Sequence, residues 1–199
     1  MGDSPMNESR LTRIARAVRA QTPTVAERDE PFWEAAVAMV LRERNGAVEM
    51  LFIKRAVHEG DPWSGQVGLP GGRRDDGEAD LADTVVRETR EELGLDIHVH
   101  GELIGSLDEL RPRTPLLPPV IVRPYVAILR DTPAFVLSSE VASHFWVPLS
   151  ALFDPANTRN TRVQTRGTFW MWRDAIHYDA HVIWGLTERI LRTFQEVAR

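Results

Sequence analysis

Glu88, Glu91 and Glu92 lie three and four residues apart in the segment Arg87-Glu88-Thr89-Arg90-Glu91-Glu92-Leu93. On a helix turning about 100° per residue, Glu91 falls about 60° to one side of Glu88 and Glu92 about 40° to the other, so three carboxylates crowd one arc. Ala82, Val85, Val86 and Leu93 form an apolar stripe beside that arc, which places the acids at the border of the face to be buried. Like charges at these spacings cost a helix roughly 0.2–0.5 kcal/mol per pair, and anions in a last turn oppose the macrodipole by roughly 0.3–1 kcal/mol each. Two readings compete. A solvated acidic face, with Arg87 paired to Glu91 one turn on, needs no ligand. A site for a hard divalent cation such as Mg²⁺ uses the same residues, because oxygen donors without thiolates suit such an ion and its charge removes the repulsion.

The elements around this cluster must position it. Between His58 and Arg74 the chain carries Gly60, Pro62, Gly65, Gly68, Pro70, Gly71 and Gly72, so a shaped loop leads into the acidic helix. The helix is expected to start at Asp75, capped by its side chain with Glu78 reaching back, and to end at Leu93 before Gly94. Upstream, the apolar runs Ala35 to Leu41 and Glu49 to Lys54 flank Asn45-Gly46, the signature of a strand hairpin. Downstream, Ile97 to Leu107 and Val120 to Leu129 read as strands separated by the stiff, proline-rich loop Arg111 to Pro119, which is expected to border a pocket. Phe145 to Val147 and the alternation around Thr168 to Trp172 add strands, and Trp184 to Val197 a last helix. Leu11, Ile14, Ala15 and Val18 mark a short amphipathic helix within an N-terminal extension, residues 1–30, ahead of one domain, residues 31–199. This order predicts an α/β fold, a mixed sheet with helices on its faces.

Composition narrows the chemistry. No cysteine is present, so thiol nucleophiles, zinc-thiolate sites and disulfides are excluded. A net charge of −5 lacks the footprint of a protein that binds a nucleic-acid polymer. No stretch approaches the roughly 20 consecutive apolar residues of a membrane span, and residues 1–20 are too charged for a signal peptide, so no membrane partner and a cytoplasmic location are expected.

The run Gly72, Glu78, Arg87-Glu88-Thr89-Arg90-Glu91-Glu92-Leu93-Gly94-Leu95 resembles the Nudix box, a glycine and a glutamate followed by Arg-Glu-apolar-x-Glu-Glu-x-Gly-apolar. Two departures mark it: eight residues instead of seven separate Glu78 from Arg87, and Thr89 replaces an aliphatic residue. Gly65-Gln66-Val67-Gly68-Leu69-Pro70-Gly71-Gly72 and Ile183-Trp184-Gly185-Leu186-Thr187 are similar to the coenzyme A pyrophosphatase branch, and the resemblance covers about residues 35 to 192. It implies an α/β/α sandwich and Mg²⁺-dependent hydrolysis of a phosphoanhydride, with Mn²⁺ as an alternative ion. It also implies that Glu88, Glu91 and Glu92 are metal ligands together with the Gly72 carbonyl, that Arg87 orients a glutamate, and that Glu78 is structural. A further carboxylate from a later loop is expected, and Glu140 is its candidate, with an exposed loop acid as the alternative. The substrate implied is a small diphosphate compound, coenzyme A-like by preference; nucleoside triphosphate or ADP-ribose cleavage, and a nucleotide-binding domain without catalysis, are the other readings, and a homodimer stays open.

Arg55, Arg73 and Arg74 are candidates to contact the diphosphate, because guanidinium forks match phosphate oxygens; a solvated basic surface is the alternative. The coenzyme A branch carries an arginine four residues before the loop glycine, where this chain has Asp61. An anion there repels the additional 3′-phosphate of coenzyme A unless another cation compensates. Trp170 and Trp172 share one strand face, a pattern of core packing with stacking on adenine as the alternative. His98 and His100, alternating on a strand, and His177 and His181 are read as structural or surface residues.

Overall fold

The computed structural model describes residues 8–59, 63–112, 119–165 and 169–199. Asp61 and most of the proline-rich loop, with the pocket border expected of it, therefore lie outside the described residues, as does Thr168.

The central strand β1 (Trp33–Arg44) turns through Asn45 and Gly46, both at positive φ, into β2 (Ala47–Arg55), as the Asn-Gly signal predicts. On its other edge β1 runs parallel to β6 (Val120–Leu129), and β6 pairs antiparallel with β5 (Gly101–Ser106), which makes the sheet mixed. Two short strands, β3 (Val67–Gly68) and β4 (Gly71–Arg73), pair with β2 and β1 respectively, and β7 (Val141–Pro148) lies along the other edge of β2.

Side-chain alternation along β1 and β2 builds two apolar layers. Met39, Leu41, Met50 and Phe52 face α1 (Arg10–Arg19) and α5 (Leu186–Val197), where Ile14, Val18, Ile190, Leu191 and Phe194 are buried with them. Ala36, Ala38, Val40, Leu51 and Ile53 face α2 (Leu81–Leu93), packing on Leu81, Val85 and Leu93. Alanine at positions 36 and 38 lets the helix approach the sheet closely. The result is the expected sandwich, and α1 of the N-terminal extension buries Ile14, Ala15 and Val18 in its core.

Four expectations need correction. The acidic helix begins at Leu81, not after Asp75: Asp80 caps it and forms a reciprocal capping box with Asp83. The Asp75 and Glu78 interaction exists, with the Asp75 N–H donating to Glu78 at 2.9 Å, but Gly77 at φ 101° turns the chain before a helix can form. Ile97 to His100 form a single helical turn, α3 (Ile97–His100), instead of the start of a strand, because Asp96 accepts from the N–H groups of His98 and Val99. Trp170 and Trp172 are not core. They lie 53% and 63% exposed on a separate antiparallel sheet of β8 (Thr158–Thr165), β9 (Phe169–Tyr178) and β10 (His181–Trp184). The last helix starts at Leu186, since Ile183 and Trp184 belong to β10, and a further turn, α4 (Leu149–Leu152), follows β7. No described helix is long and apolar enough to cross a membrane.

Candidate active site

Strand β4 runs against the acidic face of α2. The N–H of Gly71 donates to Glu92 at 2.9 Å, and Glu92 is only 3% exposed. Neither glycine of the pair can be replaced without movement. A Cβ on Gly71, whose φ is +146°, would stand 2.2 Å from the Ala36 carbonyl oxygen, and one on Gly72 would stand 2.2 Å from a Glu88 carboxylate oxygen. Close passage of the backbone is thus what allows Glu88 and Glu92 to sit beneath the loop.

Arg87 organises the remaining acids. Its Nε donates to Glu78 at 2.8 Å, one terminal nitrogen donates to Glu88 at 2.8 Å and to Glu91 at 2.9 Å, and the other donates to the Arg73 carbonyl at 2.9 Å. Glu78 also accepts from the Thr84 hydroxyl at 2.6 Å, so it braces Arg87 and is turned away from the acidic arc. Arg74 is a strut of the same frame: it pairs with Glu34 at 2.6 Å and donates to the Glu78 carbonyl at 2.6 Å, committing its guanidinium to the protein. Glu34 and Glu109 meet Arg28 at 3.7 and 3.0 Å, which extends the frame to the segment before β1.

Glu140 reaches the site through hydrogen bonds in its loop. The end of α2 leaves backbone carbonyls without helical partners. Here Val136 N–H donates to the Leu93 carbonyl at 2.9 Å, Ser138 N–H to the Glu92 carbonyl at 3.0 Å, and Ala56 N–H to the Glu140 carbonyl at 2.8 Å. The loop is stitched to the helix and carries the Glu140 carboxylate into the field of Glu88 and Glu92. Burial, then the Glu88 and Glu140 charges, push the Glu92 carboxyl up to about 8 against the opposing Gly71 N–H and Arg55. Burial, with Glu91 and Glu140 contributing, also raises Glu88, although Arg87 opposes the shift.

These residues fit a divalent cation by their chemistry. Desolvated, mutually repelling carboxylates beside a backbone that cannot carry a side chain form a hard oxygen-donor set. Among the described residues no three acidic or histidine side chains already converge as a ligand group. Arg87 bridges Glu88 and Glu91, and Glu91, 59% exposed at its side chain, can rotate.

The candidate arginines separate. Arg55 lies 4.0 Å from Glu92, within the site, whereas Arg73 stacks over the Trp33 ring at 4.2 Å. Sequence reasoning missed a cleft of about 880 Å³ on the opposite face of β2 and β3, bounded by Lys54, His58, Arg162, Trp170, His181 and Trp184. The alternation of β2 was a usable signal for part of it, since Lys54 follows the buried face of Phe52 while Arg55 follows Ile53. The four other histidine assignments are settled by place: His98 and His100 lie on α3, His177 accepts or donates at 2.6 Å with Thr161, and His181 stacks flat on Phe145.

Residues 33–166 match the family described as NUDIX domain. The human protein named mitochondrial coenzyme A diphosphatase NUDT8 is 32% identical over 156 residues, covering 77% of this chain and 64% of that protein. Peroxisomal coenzyme A diphosphatase ndx-8 of Caenorhabditis elegans is 39% identical over 92 residues, 45% of this chain and 38% of that protein. The match therefore spans less than two thirds of the length of either relative. A crystal structure of a MutT/nudix family protein from Enterococcus faecalis superposes with a TM-score of 0.54 at 19% identity, covering 86% of this chain and 64% of that one, a likeness of fold.

Proposed function

The chain belongs to the Nudix family, and on that premise we propose that it hydrolyses the phosphoanhydride bond of a nucleoside diphosphate-linked compound of the coenzyme A type. The observation that carries this reading is the passage of Gly71-Gly72 against Glu88 and Glu92, two desolvated carboxylates whose field Glu140 enters. The coenzyme A diphosphatases among the relatives support the substrate class.

Glu88, Glu91 and Glu92, with the Gly72 carbonyl, would hold Mg²⁺ or Mn²⁺, which when bound supplies positive charge to the phosphate oxygens and acidity to an attacking water. The protein's share is placement. Gly71 fixes Glu92 by its N–H, Arg87 sets the directions of Glu88 and Glu91, and Glu78 keeps Arg87 in place. The Glu140 carboxylate makes no hydrogen bond to a described residue and stands ready to accept the proton of the water as its oxygen bonds to phosphorus and the leaving phosphate oxygen departs in line. A binding-only domain has no use for so repulsive a cluster.

The test is a hydrolysis assay over coenzyme A, 3′-dephospho-coenzyme A, ADP-ribose and ATP at varied Mg²⁺. Cleavage of coenzyme A into a 4′-phosphopantetheine and a 3′,5′-adenosine bisphosphate product is expected. Exclusive triphosphate cleavage replaces the substrate class, and no cleavage of any compound at saturating Mg²⁺ refutes the reading.

A further inference from the structure

The cleft on the far face of β2 and β3 is not explained by hydrolysis itself. At about 880 Å³ it lies within the roughly 300–1,000 Å³ range of small-molecule sites. One side of it is backed by packed rings: His181, which lines the cleft, lies on Phe145 with centroids 3.6 Å apart and planes 5° from parallel. Its two cations, in contrast, have no acidic partner among the described residues. The Lys54 side chain is exposed and makes no ion pair or hydrogen bond with a described residue, and its charge is felt by His181. Arg162 contacts the Trp170 ring at 5.1 Å and has no acidic partner among the described residues. The described lining holds these two cations against one carboxylate, Glu59, and in a chain of net charge −5 that balance, beside a half-exposed tryptophan, forms a recognition surface for an aromatic anion.

The cleft also adjoins the glutamates. Arg55 and Gln66 are joined by a backbone hydrogen bond of 2.9 Å, Arg55 lying within 4.0 Å of Glu92 and Gln66 lining the cleft. His58, at the cleft rim, contacts the Ser139 carbonyl at 3.2 Å, one residue from Glu140. A ligand with its diphosphate at the glutamates can therefore pass over the end of β2 into the cleft.

We propose that this cleft holds the nucleoside end of the substrate, with the base stacked on Trp170 and a phosphate borne by the ribose, additional to the diphosphate, held by Lys54 and Arg162. The proposal rests on the hydrolase reading above and adds to it the group that decides selectivity. It also answers the repulsion expected from Asp61, because the compensating cations come from β2 and β8 rather than from Arg73 or Arg74, which are engaged with Trp33 and Glu34.

Binding of adenosine 3′,5′-bisphosphate and of 5′-AMP to the full chain, followed by calorimetry, separates this proposal from the hydrolysis itself, because neither probe contains an anhydride. The bisphosphate is expected to bind roughly tenfold more tightly, the size of a charge-assisted phosphate contact. Lys54→Met, and independently Arg162→Met, should remove most of that preference, whereas Trp170→Ala should weaken both probes by roughly tenfold through lost stacking. In turnover, Lys54→Met should raise KM for coenzyme A more than for its 3′-dephospho form. Equal binding of the two probes by the unaltered protein, or a preference that survives both cation substitutions, overturns the cleft assignment. A Lys54-dependent preference in a protein that cleaves no diphosphate compound leaves the cleft standing and removes the hydrolase reading; hydrolysis with identical KM in all variants does the reverse.

Discussion

The α2 face and the cleft across β2, the two regions proposed to meet the phosphates of the substrate, are held in opposite ways. Around α2 every acid but Glu140 is tied: Glu92 to Gly71, Glu88 and Glu91 to Arg87, Glu78 to Thr84 and Arg87. In the cleft, Lys54 and Arg162 have no acidic partner among the described residues, and Trp170 stands half exposed. Bond cleavage demands groups fixed to a fraction of an ångström, which takes a supporting shell of bonds, while recognition of a charged, stacked ligand tolerates side chains that settle on arrival. The same acids that repel one another at α2 are affordable only because Arg87 and the glycine passage restrain them.

That contrast is sharpened first by removing charge at the fixed side. Glu92→Gln should lower metal-dependent turnover by about 10³-fold or more while the melting temperature holds or rises, because a buried carboxylate beside Glu88 is replaced by a neutral amide that can still accept from Gly71. Glu91→Gln should behave alike. Wild-type turnover in either variant at saturating Mg²⁺ would show that the cluster is an acidic surface and nothing more.

Glu140→Gln comes next, with turnover down about 10²-fold and unfolding unchanged, the signature of a group that acts on the reaction and supports no structure. A loss of less than a few-fold returns Glu140 to the role of an exposed loop acid.

The glycine pair separates site geometry from stability. Gly71→Ala drives its Cβ into the backbone of Ala36 and Val37 and should cost about 1–3 kcal/mol in denaturant unfolding. Gly72→Ala meets first the Glu88 carboxylate, a side chain able to swing, so activity should fall more than stability. If both variants lose stability equally, the passage is a packing feature and not a device for placing Glu88.

A smaller effect lies in the frame. Burial raises the Glu109 carboxyl, but hydrogen bonds from Arg28, the Ala26 N–H and Arg123 outweigh it and leave the group below its ordinary value. A depressed folded value stabilises above the unfolded glutamate pKa of about 4.3 and loses that contribution as pH falls through the folded value. The melting-temperature gap between wild type and Glu109→Gln should therefore be constant from pH 7 to about 5 and close below about 4. A gap independent of pH down to 3 would mean that the carboxylate charge contributes nothing. Smallest of all, Trp172→Ala should change stability by less than about 0.5 kcal/mol and leave KM unaltered, in contrast to Trp170, because Trp172 is exposed and does not line the cleft.

What the sequence determined by itself was local and periodic. Helical spacing placed Glu88, Glu91 and Glu92 on one arc, Asn45-Gly46 set the hairpin, and the apolar run Ala35 to Leu41 marked a strand of it. Each follows from backbone geometry within a few residues, so each can be read without knowing the partner. Only the tertiary structure decided matters that depend on what lies opposite. It put the helix start at Asp80 instead of Asp75 and assigned Arg74 to Glu34, 40 residues away in the chain. It brought Glu140 to α2 through hydrogen bonds made to helix carbonyls that any sequence supplies. It also exposed Trp170 and Trp172, whose alternation on β9 looks the same whether a strand is covered by a helix or left open to water. Periodicity states which residues share a face; what covers that face is settled by elements far away in sequence.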